Sequence, residues 1–146
     1  MRFWDSSAII PLCVAERRSG AVRVLAEEDG HLVVWWGTPV ECASAFSRLR
    51  RDGIVTDREE DLIGGTLSLL GEAWTEVAPV EQVRRAAGRL LRLHPLRAAD
   101  ALQLGAALTW AGQLPQGHGF VCFDQRLREA AHKEGFGVLP EELPGS

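Results

Sequence analysis

Cysteine is scarce in this sequence, and long apolar runs are absent. The three cysteines, Cys13, Cys42 and Cys122, are widely separated and form no CxxC pattern, so the sequence favours neither a disulfide framework nor a zinc site. No apolar segment approaches the roughly 20 residues that cross a bilayer, and Asp5 stands where a secretory signal would need its apolar region. We therefore predict a cytoplasmic protein without a membrane segment, in which the cysteines are small core residues.

Linkers, low-complexity segments and internal repeats are also missing. The 146 residues are 46% hydrophobic and 25% charged, which is close to the average for a globular protein. A chain of this length can bury about two thirds of the surface that it exposes when unfolded. The sequence therefore predicts a single domain over residues 1–146.

Short apolar segments alternate with helical patterns along the whole chain. Strands are predicted at residues 2–4, 31–36, 74–80, 120–123 and 136–139, and helices at residues 7–16, 19–28, 38–53, 56–71, 81–93, 95–112 and 124–135. Pro11 should kink or end the first helix, and the pairs Thr38 with Glu41 and Thr56 with Glu59 have the spacing of a capping box. This alternation predicts an α/β fold in which helices cover both faces of a mainly parallel sheet.

Four acidic residues stand out against this pattern. Asp5 and Asp124 directly follow predicted strands, and Glu41 comes within a few residues of a third strand. Ligands in open α/β sheets lie beyond the carboxyl ends of the strands. Asp100 belongs to a helix that is apolar nearly all round, where an ionised carboxylate costs several kcal/mol unless it is paired or bound to a metal.

Each acid also has a purely structural explanation, which the sequence leaves open. Asp5 and Asp124 can be helix N-caps, which contribute about 1 kcal/mol each. Glu41 can complete a capping box at the start of its helix, and Arg97 can pair weakly with Asp100.

If the four acids lie together in one cleft, these structural explanations are no longer sufficient. Crowded carboxylates either share protons or surround a cation. Without His or Cys beside them, the cation should be hard, such as Mg²⁺ or Mn²⁺. Such an ion activates water and neutralises charge on phosphoryl oxygens, which favours phosphodiester hydrolysis.

Four segments, in this order and spacing, resemble the acidic motifs of the PIN-domain family: FWDSSAII, TPVECASAF, RAADALQLGAAL and FVCFDQRL. The resemblance covers residues 2 to about 140, and in length the chain is similar to the VapC-type toxins of VapBC toxin–antitoxin pairs. It implies a three-layer α/β/α sandwich and a Mg²⁺- or Mn²⁺-dependent endoribonuclease. The metal site and catalytic residues would be Asp5, Glu41, Asp100 and Asp124.

Individual positions around these motifs match the family or depart from it. Ser7 matches a small hydroxyl residue two positions after the first acid, where it could orient that carboxylate. Cys122 stands where Thr or Ser commonly precedes the fourth acid, and a thiol is a poor hydrogen-bond donor. This departure puts the role of Asp124 in doubt. Gln103 stands where the family often has His.

The resemblance also implies partners: an RNA substrate, a small cognate antitoxin whose tail reaches the acidic cleft, and a second copy of the chain in a homodimer. Exposed Trp or Leu in the helix at 56–71 would mark a dimer surface, although its apolar residues are expected to be core. The net charge of −4 argues against a dedicated polyanion binder, so phosphate contacts would fall to local arginines, unless these simply form solvated helix faces. The candidates are Arg48, Arg50, Arg51, Arg84, Arg85, Arg89, Arg92 and Arg97.

Other functions fit the residues less well. A phosphatase of the haloacid dehalogenase type needs a second acid two residues after the first, where Ser7 stands. A response-regulator receiver needs an early acidic pair and a late lysine after a strand, but the only lysine, Lys133, falls in a predicted helix. Two alternatives stay open: a PIN-like partner-binding module without useful catalysis, and a housekeeping PIN nuclease without an antitoxin.

Overall fold

The computed structural model describes residues 1–144, which form five strands and seven helices. The strands are β1 (Arg2–Trp4), β2 (Leu32–Trp35), β3 (Thr75–Val77), β4 (Gly119–Val121) and β5 (Gly137–Leu139). The helices are α1 (Ser6–Cys13), α2 (Ser19–Asp29), α3 (Thr38–Arg51), α4 (Asp57–Ala73), α5 (Glu81–Leu93), α6 (Ala98–Trp110) and α7 (Gln125–Glu134). The predicted order of elements is confirmed. Within residues 1–144, no helix has the length and apolar character needed to span a membrane.

The strands form one sheet in the order β3-β2-β1-β4-β5, and every neighbouring pair is parallel. From the central strand β1 the chain adds β2 and β3 on one side, and it then crosses to the other side of β1 for β4 and β5. The strand order therefore reverses between β1 and β4. In open α/β sheets, ligands bind at this reversal, outside the carboxyl ends of the strands.

Helices cover both faces of the sheet. In β1, Phe3 packs into a core with α5, α6 and α7, whereas the next residue, Trp4, packs into a second core with α1, α2 and α3. Successive side chains of a strand point to opposite faces of the sheet, so β1 contributes side chains to both cores. The predicted three-layer α/β/α sandwich is confirmed. Cys42 and Cys122 are core residues as predicted, while Cys13 is only partly buried.

Two predicted helix starts are wrong, and both lie near the strand ends. Thr38 is the first residue of α3 and not its cap; the N-cap is Gly37, and no side chain caps this helix. The sixth helix begins at Ala98 instead of Pro95, because Arg97 is still extended, with φ −82° and ψ 164°. Four strands, β2 to β5, are also shorter than predicted, and β3 is shortened most, to Thr75–Val77.

The fourth helix is capped as predicted but packs differently. Thr56 and Glu59 form the complete capping box. No residue of α4 is fully buried, and Leu62 and Leu69 are 65% and 67% exposed. The expectation that the apolar residues of this helix are core is therefore wrong for these two leucines.

Candidate active site

An open cleft of about 810 Å³ lies where α1, α3, α6 and α7 begin, next to the carboxyl ends of β1, β2 and β4. Three predicted site residues line it: Glu41 from the first turn of α3, Asp100 from the first turn of α6, and Asp124 at the start of α7. Asp5 follows β1 and is only 3% exposed. The structure thus places three of the four acids on the cleft wall and buries the fourth.

Electrostatic repulsion connects all four carboxylates. Burial, together with the nearby charges of Glu41 and Asp100, raises the pKa of Asp5 to about 6, although hydrogen bonds from Ser7 oppose the shift. The pKa of Glu41 is also raised, first by burial and then by Asp100. Burial and the charge of Asp124 raise the pKa of Asp100. The four acids therefore lie within one electrostatic environment.

Ser7 donates two hydrogen bonds to the same carboxylate oxygen of Asp5. The Oδ2 of Asp5 accepts the hydroxyl of Ser7 at 2.6 Å and the backbone N–H of Ser7 at 3.2 Å. The structural explanation for Asp5 therefore holds, because this is the N-cap of α1. It leaves Oδ1 unused, since nothing in residues 1–144 donates a hydrogen bond to that oxygen.

Glu41 is held by residues far away in the sequence. Its Oε2 accepts the hydroxyl of Ser6 at 2.6 Å and the amide Nε2 of Gln103 at 3.2 Å. The capping box proposed for Glu41 is wrong, because the hydroxyl of Thr38 instead accepts Gln103 Nε2 at 3.0 Å. The structural explanation for this acid therefore fails. Ser6 is the member of this group that the sequence did not suggest; its only signal is its position next to Ser7.

Asp100 and Asp124 are held less firmly. The Oδ1 of Asp124 accepts the backbone N–H of Leu127 at 3.0 Å, so this acid is the N-cap of α7. Asp100 accepts no side-chain hydrogen bond from the described chain. Arg97, which the sequence suggested as a partner, forms no ion pair with Asp100. Its backbone N–H and its charge nevertheless oppose the raised pKa of Asp100.

The thiol of Cys122 contacts the carboxylate of Asp5, although the sequence had connected Cys122 with Asp124. Its Sγ lies 3.5 Å from Oδ2 of Asp5, and it reaches Asp124 only at the backbone oxygen, at 3.6 Å. The hydroxyl of Ser7 accepts the backbone N–H of Phe123 at 2.9 Å, which ties the start of α1 to the segment that follows β4. The thiol therefore contributes to the surroundings of the Asp5 carboxylate and makes no hydrogen bond to the carboxylate of Asp124.

Three arginines line the cleft: Arg48, Arg97 and Arg126. Within residues 1–144, none of the three forms an ion pair. Most other arginines of the predicted clusters are engaged elsewhere, because Arg50 pairs with Glu60, Arg84 and Arg85 with Glu81, and Arg89 with Glu134. Arg126 was not among the candidates, although its position two residues after Asp124 could have suggested it.

The donor chemistry of the cleft fits a hard divalent cation. The ligands on offer are carboxylates, and Asp5, Glu41 and Asp124 each have an oxygen that accepts no hydrogen bond from the described chain. As placed, however, no three His, Cys, Asp or Glu side chains in residues 1–144 lie close enough together to hold a metal ion. A cation held by all four acids would need their carboxylates closer together.

Comparisons with known proteins identify the family of this chain. The chain is 31% identical, over 153 aligned positions, to Ribonuclease VapC45 of Mycobacterium tuberculosis strain CDC 1551 / Oshkosh and to Ribonuclease VapC49 of Mycobacterium tuberculosis strain ATCC 25618 / H37Rv. Each alignment covers 97% of this chain and 96% of the relative. This chain belongs to the VapC ribonuclease family. No family model matches it.

The fold of this VapC-family chain also has a solved counterpart. It is similar to a chain in the crystal structure of FitAcB from Neisseria gonorrhoeae, with a TM-score of 0.59 over 94% of this chain and 96% of that chain. The two sequences are only 14% identical. This similarity therefore concerns the fold alone.

Proposed function

We propose that this protein is a divalent-metal-dependent endoribonuclease, a single-domain hydrolase of RNA phosphodiester bonds that acts in the cytoplasm as the toxin of a type II toxin–antitoxin pair. The observation that carries the proposal is the cleft at the reversal of strand order, where carboxylates from four separate segments repel one another. Membership of the VapC ribonuclease family supports it.

Asp5, Glu41, Asp100 and Asp124 would hold Mg²⁺ or Mn²⁺. When bound, such an ion lowers the pKa of an attacking water and neutralises charge on the phosphoryl oxygens. Ser7 keeps the carboxylate of Asp5 oriented through a 2.6 Å hydrogen bond. The protein thus contributes a set of acids whose repulsion is relieved when a cation arrives.

The RNA would be bound by the arginines of the cleft. Arg48, Arg97 and Arg126 form no ion pair within residues 1–144, so their guanidinium groups are available for phosphate. Guanidinium binds phosphate oxygens through two parallel hydrogen bonds. These arginines explain how a chain with a net charge of −4 can hold a polyanion beside an acidic site.

The proposed protein partners are a small antitoxin and a second copy of the chain. A basic side chain of an antitoxin would complement the four carboxylates of the cleft. The exposed Leu62 and Leu69 of α4 are the leucines that the sequence singled out for a dimer surface. A pull-down with the product of an adjacent small reading frame tests the toxin role against a housekeeping nuclease.

The decisive experiment is cleavage of end-labelled structured RNAs by the purified protein with Mg²⁺, with Mn²⁺ and with EDTA. We expect cleavage only with a divalent ion. Asp5→Asn and Asp100→Asn should each lower the rate by at least about 1000-fold, because several kcal/mol of transition-state stabilisation are lost. Asp61→Asn, at an exposed position of α4, is the matched control and should cleave normally. A folded wild-type protein that binds RNA but never cuts it would favour the partner-binding module.

A further inference from the structure

Gln103 links the two helices that carry Glu41 and Asp100. It lies in α6 three residues after Asp100, on the same side of the helix, and its side chain is fully buried. Its Nε2 donates to Thr38 Oγ1 at 3.0 Å and to Glu41 Oε2 at 3.2 Å. Both acceptors belong to the first turn of α3. One amide group therefore connects the starts of two helices that border the cleft.

The other end of this amide has no partner. The Oε1 of Gln103 is buried, and no donor in residues 1–144 reaches it. Turning the amide over would place this carbonyl oxygen against the carboxylate of Glu41, so the acid imposes the observed orientation. A buried carbonyl without a donor costs free energy that an apolar side chain would avoid. The unpaired carbonyl therefore offsets part of the stability that the two hydrogen bonds of Nε2 contribute.

We infer that Gln103 is a positioning residue that, together with Ser6, fixes one oxygen of Glu41 and presents the other to the cleft. The inference rests on the proposed nuclease function. With two hydrogen bonds on Oε2, only Oε1 of Glu41 is left for a cation or for a water molecule near the phosphate. The link also keeps Glu41 beside Asp100 even though the two carboxylates repel each other.

The first test replaces Gln103 by an apolar residue of similar shape, Gln103→Met. We expect kcat for RNA to fall about tenfold, as is typical when a partner of a metal-binding residue is lost, while KM changes less than about twofold. Calorimetry should find Mn²⁺ affinity lowered about tenfold. The unfolding midpoint should fall by no more than a few degrees, since removal of the unpaired carbonyl partly offsets the hydrogen bonds that Thr38 and Glu41 lose.

A double-mutant cycle then asks whether Gln103 acts through Glu41. In a Glu41→Gln background, Gln103→Met should produce no further loss of cleavage or of Mn²⁺ affinity, because the group that it positions is gone. A merely structural role would give additive losses. Thr109→Val is the matched control on the same helix: its hydroxyl donates to the backbone of Gly105 at 2.9 Å, and its loss should leave both measurements unchanged.

Wild-type kcat and Mn²⁺ affinity in Gln103→Met, or additive losses in the cycle, would overturn the inference. If Gln103→Met does not fold, Gln103→Asn replaces it, because it keeps the amide but shortens the side chain by one CH₂ group, and the same losses are expected. A wild-type protein that binds Mn²⁺ but cuts no RNA would overturn the nuclease function. The Mn²⁺ affinities of the variants would still decide the role of Gln103.

Discussion

The two halves of the acidic cleft differ in how their carboxylates are held. On one side, Asp5 and Glu41 each accept hydrogen bonds from side chains, at 2.6 Å from Ser7 and 2.6 Å from Ser6. On the other side, Asp124 accepts only a backbone N–H, and Asp100 accepts no side-chain hydrogen bond from the described chain. We call the first pair the held half and the second pair the open half.

The two pairs of acids therefore differ in how firmly hydrogen bonds orient their carboxylates. The held half has its orientation built in, because hydrogen bonds from Ser6, Ser7 and Gln103 leave each carboxylate a single unused oxygen. The acids of the open half are more exposed, with Asp100 half-buried and Asp124 exposed. Asp5 and Glu41 would therefore offer a cation oxygens that are already oriented, whereas fewer hydrogen bonds orient Asp100 and Asp124.

The largest effect expected from this comparison concerns stability against pH. The pKa of Asp5 rises from 3.8 in the unfolded chain to about 6 in the fold, so between these values the folded state holds the proton more tightly. Stability should therefore fall as pH rises from about 4 to 6, by about 3 kcal/mol from this residue. Asp5→Asn should lack that part of the loss. Chemical denaturation in EDTA from pH 4 to 7 measures it.

Other titrating groups also contribute to the measured pH dependence. Glu134, whose pKa is lowered by hydrogen bonds from Arg89 and His94 against the effect of burial, contributes stability that is lost as pH falls, so only differences between variants are informative. If Asp5→Asn and wild type run parallel from pH 4 to 7, Asp5 is not held as a buried carboxyl.

A smaller effect, about tenfold on cleavage, is expected from the two serines of the held half. Ser6→Ala removes one donor to Glu41 and should lower kcat about tenfold with little change in stability. Ser7→Ala should lower kcat similarly and also destabilise the fold by about 1–3 kcal/mol, because the backbone N–H of Phe123 loses its acceptor. RNA cleavage and urea unfolding on the same samples separate the two outcomes.

The exposed Ser68→Ala on α4 is the matched control, since it removes a serine hydroxyl away from the cleft. Full activity in Ser6→Ala would mean that the hydrogen bond to Glu41 is incidental. The distinction between a held and an open half would then rest on Asp5 alone.

Local patterns in the sequence predicted the elements well. The predicted capping box of Thr56 with Glu59 depends on residues within a few positions of one another, and so do the ends of α2 and α7, which the structure places at Gly30 and Gly135. The two glycines have φ values of 70° and 115°, which residues with a Cβ adopt rarely. Such signals are complete within one turn of helix, so the order of strands and helices could be predicted.

The same local pattern failed at the site for a physical reason. Thr38 and Glu41 have the same spacing as Thr56 and Glu59, yet they form no box. Their hydrogen bonds come from Ser6, 35 positions away, and from Gln103, 62 and 65 positions away. Only the folded chain brings these donors to the start of α3, so a pattern of four residues could not predict them. The four acids themselves were found from their positions after predicted strands and in an apolar helix, and then from their resemblance to a known family.

The smallest effects should come from the arginines, which are also divided between the two halves. Arg48 lies in α3 with Glu41, while Arg97 and Arg126 lie beside Asp100 and Asp124. Removing one arginine that binds a phosphate should lower the slope of log affinity against log salt by about one. We expect a decrease of about one for Arg48→Gln and about two for Arg97→Gln/Arg126→Gln, with KM raised a few-fold and kcat unchanged. RNA binding from about 50 to about 200 mM salt measures the slopes.

Arg84→Gln is the control, because Arg84 pairs with Glu81 and does not line the cleft. Its slope should equal that of wild type. Equal slopes for all four proteins would mean that the RNA does not run across the cleft arginines. A decrease confined to the double variant would mean that the substrate follows the open half alone. In that case the held half would bind only the metal ion, whereas the open half would bind both the metal ion and the RNA.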